Sequence, residues 1–135
     1  MDNMGINWIG VVVAAAAGFA FAAAWYMTLS KRWMAALGKT HEEIKAGSSR
    51  MVFVVAAGAQ LVMATMLARV IAWHGEVTVG HGLLVGFAIW FGFVLTMMAV
   101  NYGFQGARPR LLLIDAGHWL GVLLLQGLVL GLFGS

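Results

Sequence analysis

Four long stretches of apolar residues constrain the fold of this 135-residue chain more than any other feature. They cover residues 6–29, 51–73, 82–105 and 111–133. Each is long enough to cross the hydrocarbon core of a bilayer, about 30 Å, which takes roughly 20 helical residues. Because a bilayer offers no water to backbone amides, a spanning segment satisfies them by forming a helix. The sequence therefore predicts an all-α bundle of four transmembrane helices in a single domain, with the lipid bilayer as its main partner.

The composition excludes the usual soluble classes. Apolar residues make up 62% of the chain and charged residues 10%, whereas a soluble domain devotes about a quarter of its residues to charge. So little polar surface cannot cover a globule in water. The formal charge of +3 does not indicate a nucleic-acid partner, because the basic residues lie beside the apolar stretches.

No motif points to catalysis, to a cofactor or to a metal. The chain has no cysteine, which excludes disulfides, thiolate metal sites and thiol nucleophiles. It also lacks a glycine-rich phosphate loop, a His-Glu-x-x-His pair and a serine with an adjacent histidine and acid. The residues His74, Glu76 and His81 of "HGEVTVGH" are of metal-ligating types, but such a trio in a loop more often indicates a solvated segment. We predict no enzymatic activity, no cofactor and no metal.

The distribution of Lys and Arg predicts the orientation in the membrane. Apart from Arg69, all basic residues lie in the loop 30–50 or in the connection 106–110, which fall at the same end of the bundle. Short cytoplasmic loops retain Lys and Arg, so both termini are expected to face away from the cytoplasm. The first stretch follows Asp2 and is longer than a signal-peptide core, which favours an uncleaved helix.

The loop 30–50 is predicted to form two short amphipathic helices on the membrane surface. Gly38 is placed to end the first, because glycine readily adopts the left-handed conformation of a helix C-terminus. Thr40 and Glu43 have the spacing of a capping box at the start of the second. The basic residues beside Trp33 suit anionic headgroups.

Ionisable and amide side chains interrupt the last two apolar stretches. In "LLLIDAGHWLGVLLLQG", Asp115, His118 and Gln126 fall on one side of a helix in which each residue turns by about 100°. Asn101 and Gln105 share a face of the third helix. Since the third helix ends where the fourth begins, Asn101 and Asp115 are expected at a similar depth near the cytoplasmic side, with the end of the first helix beside them. The candidate intramembrane site therefore comprises Asp115, His118, Asn101, Gln105, Tyr26 and Trp25.

Two interpretations of this cluster stay open. An ionisable group at the centre of a membrane helix costs about 2.5 to 3.5 kcal/mol and tends to mark an ion, proton or substrate route. The protein is then a small transporter or channel-like protein for a proton, an ion or a small solute. Alternatively, Asp115 lies close enough to the helix end to be a polar clamp between helices. The protein is then a non-transporting accessory or assembly subunit of a larger membrane complex.

Glycine lines the opposite side of the fourth helix. Gly117 and Gly121, and likewise Gly127 and Gly131, have the small-xxx-small spacing that lets another backbone approach closely. One bundle interior can fully use only one of two faces unsuited to lipid. We therefore expect the glycine face to meet a second copy of the chain, in a homo-oligomer, or a membrane-protein partner.

Several motifs resemble a known family. They are "INW" before the alanine-rich helix, "AAAWYMTLSKRWMAALG" at its end, and "GF" followed by "NYGFQGARPRLLLIDAGHWL". Over nearly the whole chain they resemble a family of small four-helix bacterial integral membrane proteins known only as a domain of unknown function. The resemblance implies a polytopic protein of the bacterial inner membrane, in which both termini would face the periplasm, and it supplies no activity. It adds Asn7 to the candidate site, implies variation at His118, and implies that the shared role is carried by Asn7, Trp25, Tyr26, Asn101 and Asp115.

Overall fold

Four helices that are long and apolar enough to cross a membrane make up most of the chain in the computed structural model, which describes residues 6–135. No strand occurs within that range. The predicted fold class, all-α with four membrane-spanning helices, is confirmed, and the chain has the architecture of a multi-pass membrane protein. Asp2, the acidic residue ahead of the first stretch, lies outside the described residues. The four spans are Trp8–Thr28, Arg50–His74, Val79–Phe104 and Pro109–Phe133.

Seven α-helices are numbered along the described chain. A π-helical turn, Trp90–Val94, joins α5 to α6 within the third span. We call the end of the bundle that carries α2 and α3 the basic end, because every Lys and Arg except Arg69 lies there. The helices are α1 Trp8–Thr28, α2 Ser30–Leu37, α3 His41–Gly47, α4 Arg50–His74, α5 Val79–Ile89, α6 Leu95–Phe104 and α7 Pro109–Phe133.

The last helix, α7, lies at the centre of the bundle, with α1 and α5 packed on it and α4 packed on α1. Small residues of α1, such as Ala14, bring its backbone close to its neighbours, and larger side chains of α4 and α7 fill the space between them. Besides a smaller apolar cluster at the basic end, formed by Ala36, Leu111 and Ile114, this packing forms one larger core. Its members include Val11, Ala14, Ala64, Leu67, Ile71, Val85, Leu123 and Leu130.

Glycines bring the backbones of α5 and α7 into direct contact. A side chain at Gly82 would overlap the backbone of Gly127, and a side chain at Gly127 would overlap the backbone of Gly82. One turn further along, a Cβ atom at Gly86 would lie 2.7 Å from the carbonyl oxygen of Leu123. The small-residue spacing of α7 therefore serves a helix contact within the chain.

All four glycines of the two spaced pairs on α7 meet helices of the same chain. Gly117 and Gly121 lie against aromatic rings at the end of α1, and Gly127 and Gly131 lie against the backbone at the start of α5 and the residue before it. These glycine contacts lie within one chain, so association with a second copy or with a membrane-protein partner stays a prediction that the glycine spacing alone does not carry. The bundle covers both lipid-averse faces of α7, because α1 and α5 flank this helix from two sides.

The segment between α1 and α4 contains the two short helices that its sequence predicts. Gly38 follows α2 with a left-handed φ of 77°. A capping box begins α3: the backbone N–H of Glu43 donates to Thr40 Oγ1 at 3.2 Å, and the backbone N–H of Thr40 donates to Glu43 Oε1 at 2.9 Å. The predicted helix end and capping box are both confirmed.

We expect Glu43 to titrate below the ordinary range of a glutamate. Hydrogen bonds from the backbone and side chain of Thr40 favour the ionised carboxylate and lower its pKa. The cap is therefore complete above the unfolded pKa of about 4.3 and is lost as the pH falls through the lowered value. In an NMR titration, Thr40→Pro, which removes both donors, should raise the midpoint, and Thr40→Ser should keep it low. Equal midpoints in these two variants would contradict the expectation.

Candidate functional site

The carboxyl group of Asp115 lies between two tyrosines near the basic end. Tyr26 of α1 donates a hydrogen bond to Oδ1 at 2.6 Å, and Tyr102 of α6 donates one to Oδ2 at 2.6 Å. These lengths are typical of charge-assisted bonds from a hydroxyl to a carboxylate. One partly buried carboxyl group thereby links three membrane-spanning segments.

Two indole groups hold the backbone of α7 on either side of this carboxyl group. Trp25 Nε1 donates to the carbonyl oxygen of Ile114 at 3.0 Å, and Trp90 Nε1 donates to that of Ala116 at 2.8 Å. A helical carbonyl can accept a second bond because its oxygen has two lone pairs. Asp115 therefore projects from a backbone segment that is bonded to both neighbouring spans.

Asn101 and Gln105, which were predicted to join this cluster, are exposed. The cause is the π-helical turn, which adds one residue to its helix. Every later residue is thereby rotated by about 100° relative to a regular helix. Tyr102, rather than Asn101, therefore shares a face with Trp90 and reaches α7.

Tyr102, like Trp90, was not predicted from the sequence to belong to the site. The chain contains only two tyrosines, and both donate to the same carboxyl group. The presence of only two tyrosines and one intramembrane acid was the sequence feature that could have indicated Tyr102 as a partner of Asp115. The regular helical period pointed instead to the neighbouring amide, Asn101.

His118 lies one turn deeper in the bundle than Asp115. Its side chain is 5% exposed, and its ring centroid lies 4.9 Å from that of Tyr26. Neither ring nitrogen has a hydrogen-bond partner among the described residues, although buried polar atoms are nearly always paired. A neutral imidazole has one donor and one acceptor nitrogen, so this side chain can take up or release a proton or hold a small polar group.

A second polar contact lies further along α7. Gln126 Nε2 donates to Gln60 Oε1 of α4 at 2.7 Å, and both side chains are buried. Gly18 of α1 makes room for them, because a side chain there would overlap the amide atoms. Val122, which has no exposed surface, lies between this pair and His118 along the helix. The polar stripe of α7 thus faces the bundle interior and is interrupted by a valine.

Asn7 lies at the opposite end of α1 from the cluster. Its side chain accepts a hydrogen bond from the backbone N–H of Gly10 at 3.0 Å and so caps the helix. Asparagine is among the preferred residues at this position because its side chain satisfies a free backbone donor. The structure gives Asn7 a local role in helix initiation and does not bring it to Asp115.

The loop opposite the basic end holds its histidines in contact with each other. The ring centroids of His74 and His81 are 4.7 Å apart, and His81 Nδ1 lies 2.7 Å from the backbone oxygen of Glu76. The guanidinium of Arg69 lies over the ring of Trp73, 5.6 Å from its centroid. Within residues 6–135, no group of three His, Asp or Glu side chains is arranged to hold a metal ion.

Comparison with known proteins identifies a family whose function is unknown. No curated protein and no solved structure matches the chain. The model of the family described as "Protein of unknown function (DUF1761)" matches residues 9–131, a range that includes the Asp115 site and leaves out Asn7. The resemblance noted in the sequence is confirmed by this match, which covers most of the chain. The chain therefore belongs to the DUF1761 family of proteins of unknown function.

Proposed function

We propose that the chain is a small membrane transporter in which a cluster of four side chains binds a proton in transit. The cluster consists of Asp115, Tyr26, Tyr102 and His118. The observation that carries the proposal is a carboxyl group held by two hydroxyls inside a membrane-spanning bundle, one turn from a buried imidazole with no partner in the described chain. Ionisable groups in such positions are costly and commonly mark proton or ion routes.

The geometry favours a proton over a metal cation. Both oxygens of Asp115 already accept a hydrogen bond from a tyrosine. Mg²⁺ and Ca²⁺ take about six or more ligands, mostly oxygen, whereas a proton needs one lone pair, and a carboxylate oxygen that accepts one bond keeps another. His118 is the next titratable group along α7, and the polar stripe resumes at Gln126. A proton bound at Asp115 therefore has further polar groups ahead of it.

The proposal is tested by proton flux into liposomes that contain the purified protein. A potassium gradient with valinomycin sets the membrane potential, and a pH-sensitive dye inside reports the entry of protons. We expect liposomes with the wild-type chain to acidify faster than protein-free liposomes prepared in the same way. Equal rates would contradict a proton-transport function.

We expect Val122→Thr to raise this proton flux several-fold. Val122 is fully buried between His118 and the Gln60–Gln126 pair, and on the proposed route it is an apolar barrier. Threonine has nearly the same shape and adds a hydroxyl that can carry a hydrogen bond. Val85→Thr, at a buried position of α5 away from the polar stripe, is the matched control and should leave the flux unchanged. A flux that both variants change equally would place the route elsewhere.

We also propose that the basic end faces the cytoplasm of a bacterial inner membrane, as the retention of Lys and Arg in cytoplasmic loops favours. Because the chain has no cysteine, single cysteines can report on either side. Thr78→Cys should react with an impermeant thiol reagent added outside the cell, and Ser48→Cys should react only after permeabilisation. Labelling of Ser48→Cys alone in intact cells would reverse the orientation.

A second candidate function is that of a non-transporting accessory subunit. The observation that favours it is the apolar packing at the middle of the bundle, where Val122 and Leu123 are at most 2% exposed. In that case Asp115 is a clamp between helices and the interior conducts nothing. The accessory role predicts no proton flux and the co-purification of a membrane-protein partner in fixed ratio from native membranes.

A further inference from the structure

A cleft that contains two arginines opens at the basic end, between the α1–α2 junction and the first turns of α7. Its volume is 530 Å³, within the range of about 300 to 1,000 Å³ that is usual for small-ligand sites. Arg32 comes from α2 and Arg110 from α7, so two separate elements each supply a guanidinium. The cleft is lined by Trp25, Leu29, Arg32, Arg110, Leu113 and Ile114.

Hydrogen bonds fix the backbones that carry these arginines. On the inner side, the indole N–H of Trp25 donates to the carbonyl oxygen of Ile114 at 3.0 Å and joins α1 to α7. On the outer side, the guanidinium of Arg108 donates to the carbonyl oxygen of Ala35 and joins the start of α7 to α2. Hydrogen bonds therefore connect the helices that form the two sides of the cleft, and these bonds fix its shape.

Among residues 6–135, no acidic side chain lines the cleft. The nearest carboxyl group along α7, that of Asp115, is bonded through both oxygens to tyrosines. A guanidinium group matches the geometry of a phosphate and binds it through paired hydrogen bonds. Two such groups without a lining carboxylate favour a ligand with a phosphate group and a net negative charge.

We infer that this cleft binds the headgroup phosphate of an anionic phospholipid. Arg110 lies in the first turn of the membrane-spanning helix α7, and Arg32 lies in α2, which follows the membrane-spanning helix α1 directly. Both arginines are therefore expected near the depth where lipid headgroups and the bilayer core meet. The remaining lining is apolar, and the side chain of Leu113 is 72% exposed, which offers a surface along which an acyl chain can lie. A soluble phosphate makes no use of such a surface. A zwitterionic lipid finds no carboxylate in the described lining for its ammonium group.

The inference is tested by native mass spectrometry of the purified full chain. The protein is released from micelles that contain equal amounts of phosphatidylglycerol and phosphatidylethanolamine. We expect the wild type to retain phosphatidylglycerol selectively. Since a basic residue near an anionic surface contributes about a factor of five in affinity, Arg32→Gln and Arg110→Gln should each weaken retention about fivefold. Arg50→Gln removes a charge from the same end outside the cleft and should leave retention unchanged.

Three outcomes would overturn the inference. Equal retention of the two lipids would show that the net charge of the headgroup does not matter. An equal loss in Arg50→Gln and Arg110→Gln would show diffuse attraction rather than a site. Displacement of the lipid by millimolar inorganic phosphate would show a site for a soluble anion. Circular dichroism and thermal unfolding of each variant establish that the fold is retained. The lipid site does not depend on whether the chain transports protons.

Discussion

Asp115→Asn is expected to abolish proton flux in liposomes while the protein stays folded and inserted. Asparagine keeps the size of the side chain but has no ionisable group. Its carbonyl oxygen can still accept from one tyrosine, and its amide can donate to the other, because a tyrosine hydroxyl also accepts hydrogen bonds. The expected cost to stability is therefore about 1 kcal/mol or less. The measurement is dye-reported flux alongside thermal unfolding in detergent.

A comparison with Asp115→Leu distinguishes the effect of losing the ionisable group from the effect of losing the hydrogen-bond acceptors. Leucine removes both acceptors, so the hydroxyls of Tyr26 and Tyr102 lose the partner that each has in the native chain. Leaving a fully buried donor unpaired costs about 1 to 3 kcal/mol. Because both hydroxyls are partly buried, we expect a loss toward the lower end of this range and a lower unfolding temperature than that of Asp115→Asn. If the proton flux of Asp115→Asn equals that of the wild type, Asp115 acts only as a structural clamp between helices. This result would favour the accessory role.

Gly127→Ala is expected to disrupt the packing of α7 on α5, the largest effect on the fold that we predict for a single methyl group. The added Cβ would overlap the backbone of Gly82. Overpacking usually lowers the free energy of unfolding by about 1 to 3 kcal/mol. We expect a loss at or above the upper end of that range, because both contacting groups are helical backbone and cannot rotate away. Thermal unfolding in detergent, followed by circular dichroism, measures the loss.

The matched control for this substitution is Gly103→Ala. Gly103 lies in α6, and a methyl group added there would meet no neighbouring atom of the described chain within 4 Å. Alanine at this position should therefore be neutral or should stabilise the helix by up to about 1 kcal/mol. If Gly127→Ala unfolds at the same temperature as Gly103→Ala, the two backbones do not touch at this point.

The membrane-spanning helices follow from the sequence because the exclusion of water acts on each apolar stretch separately. Residues 51–73 were predicted to span, and α4 is Arg50–His74. Gly38 and the Thr40–Glu43 capping box were equally predictable. A left-handed residue and a capping box involve atoms only a few positions apart in the chain, so the local sequence is sufficient to specify them.

The candidate site was only partly predictable. The contacts of Tyr26 and Trp25 with the Asp115 segment follow from where α1 ends and α7 begins. The position of Tyr102 does not follow from any regular period, because the π-helical turn at Trp90–Val94 changes the register of the helix by one residue. Asn101 was predicted in its place because a constant 3.6-residue period was extended through that turn.

The glycines of α7 mark the boundary between what the sequence alone determines and what the tertiary structure decides. The spacing of Gly127 and Gly131 shows that another backbone can approach closely, but it carries no information on which backbone that is. In the folded chain, α5 occupies that surface, and the end of α1 covers the glycines nearer the basic end. The composition and local pattern of a helix decide that it forms and enters the membrane. Which helices become its neighbours is decided by the packing of all the helices together, since a surface covered by one helix is no longer available to another.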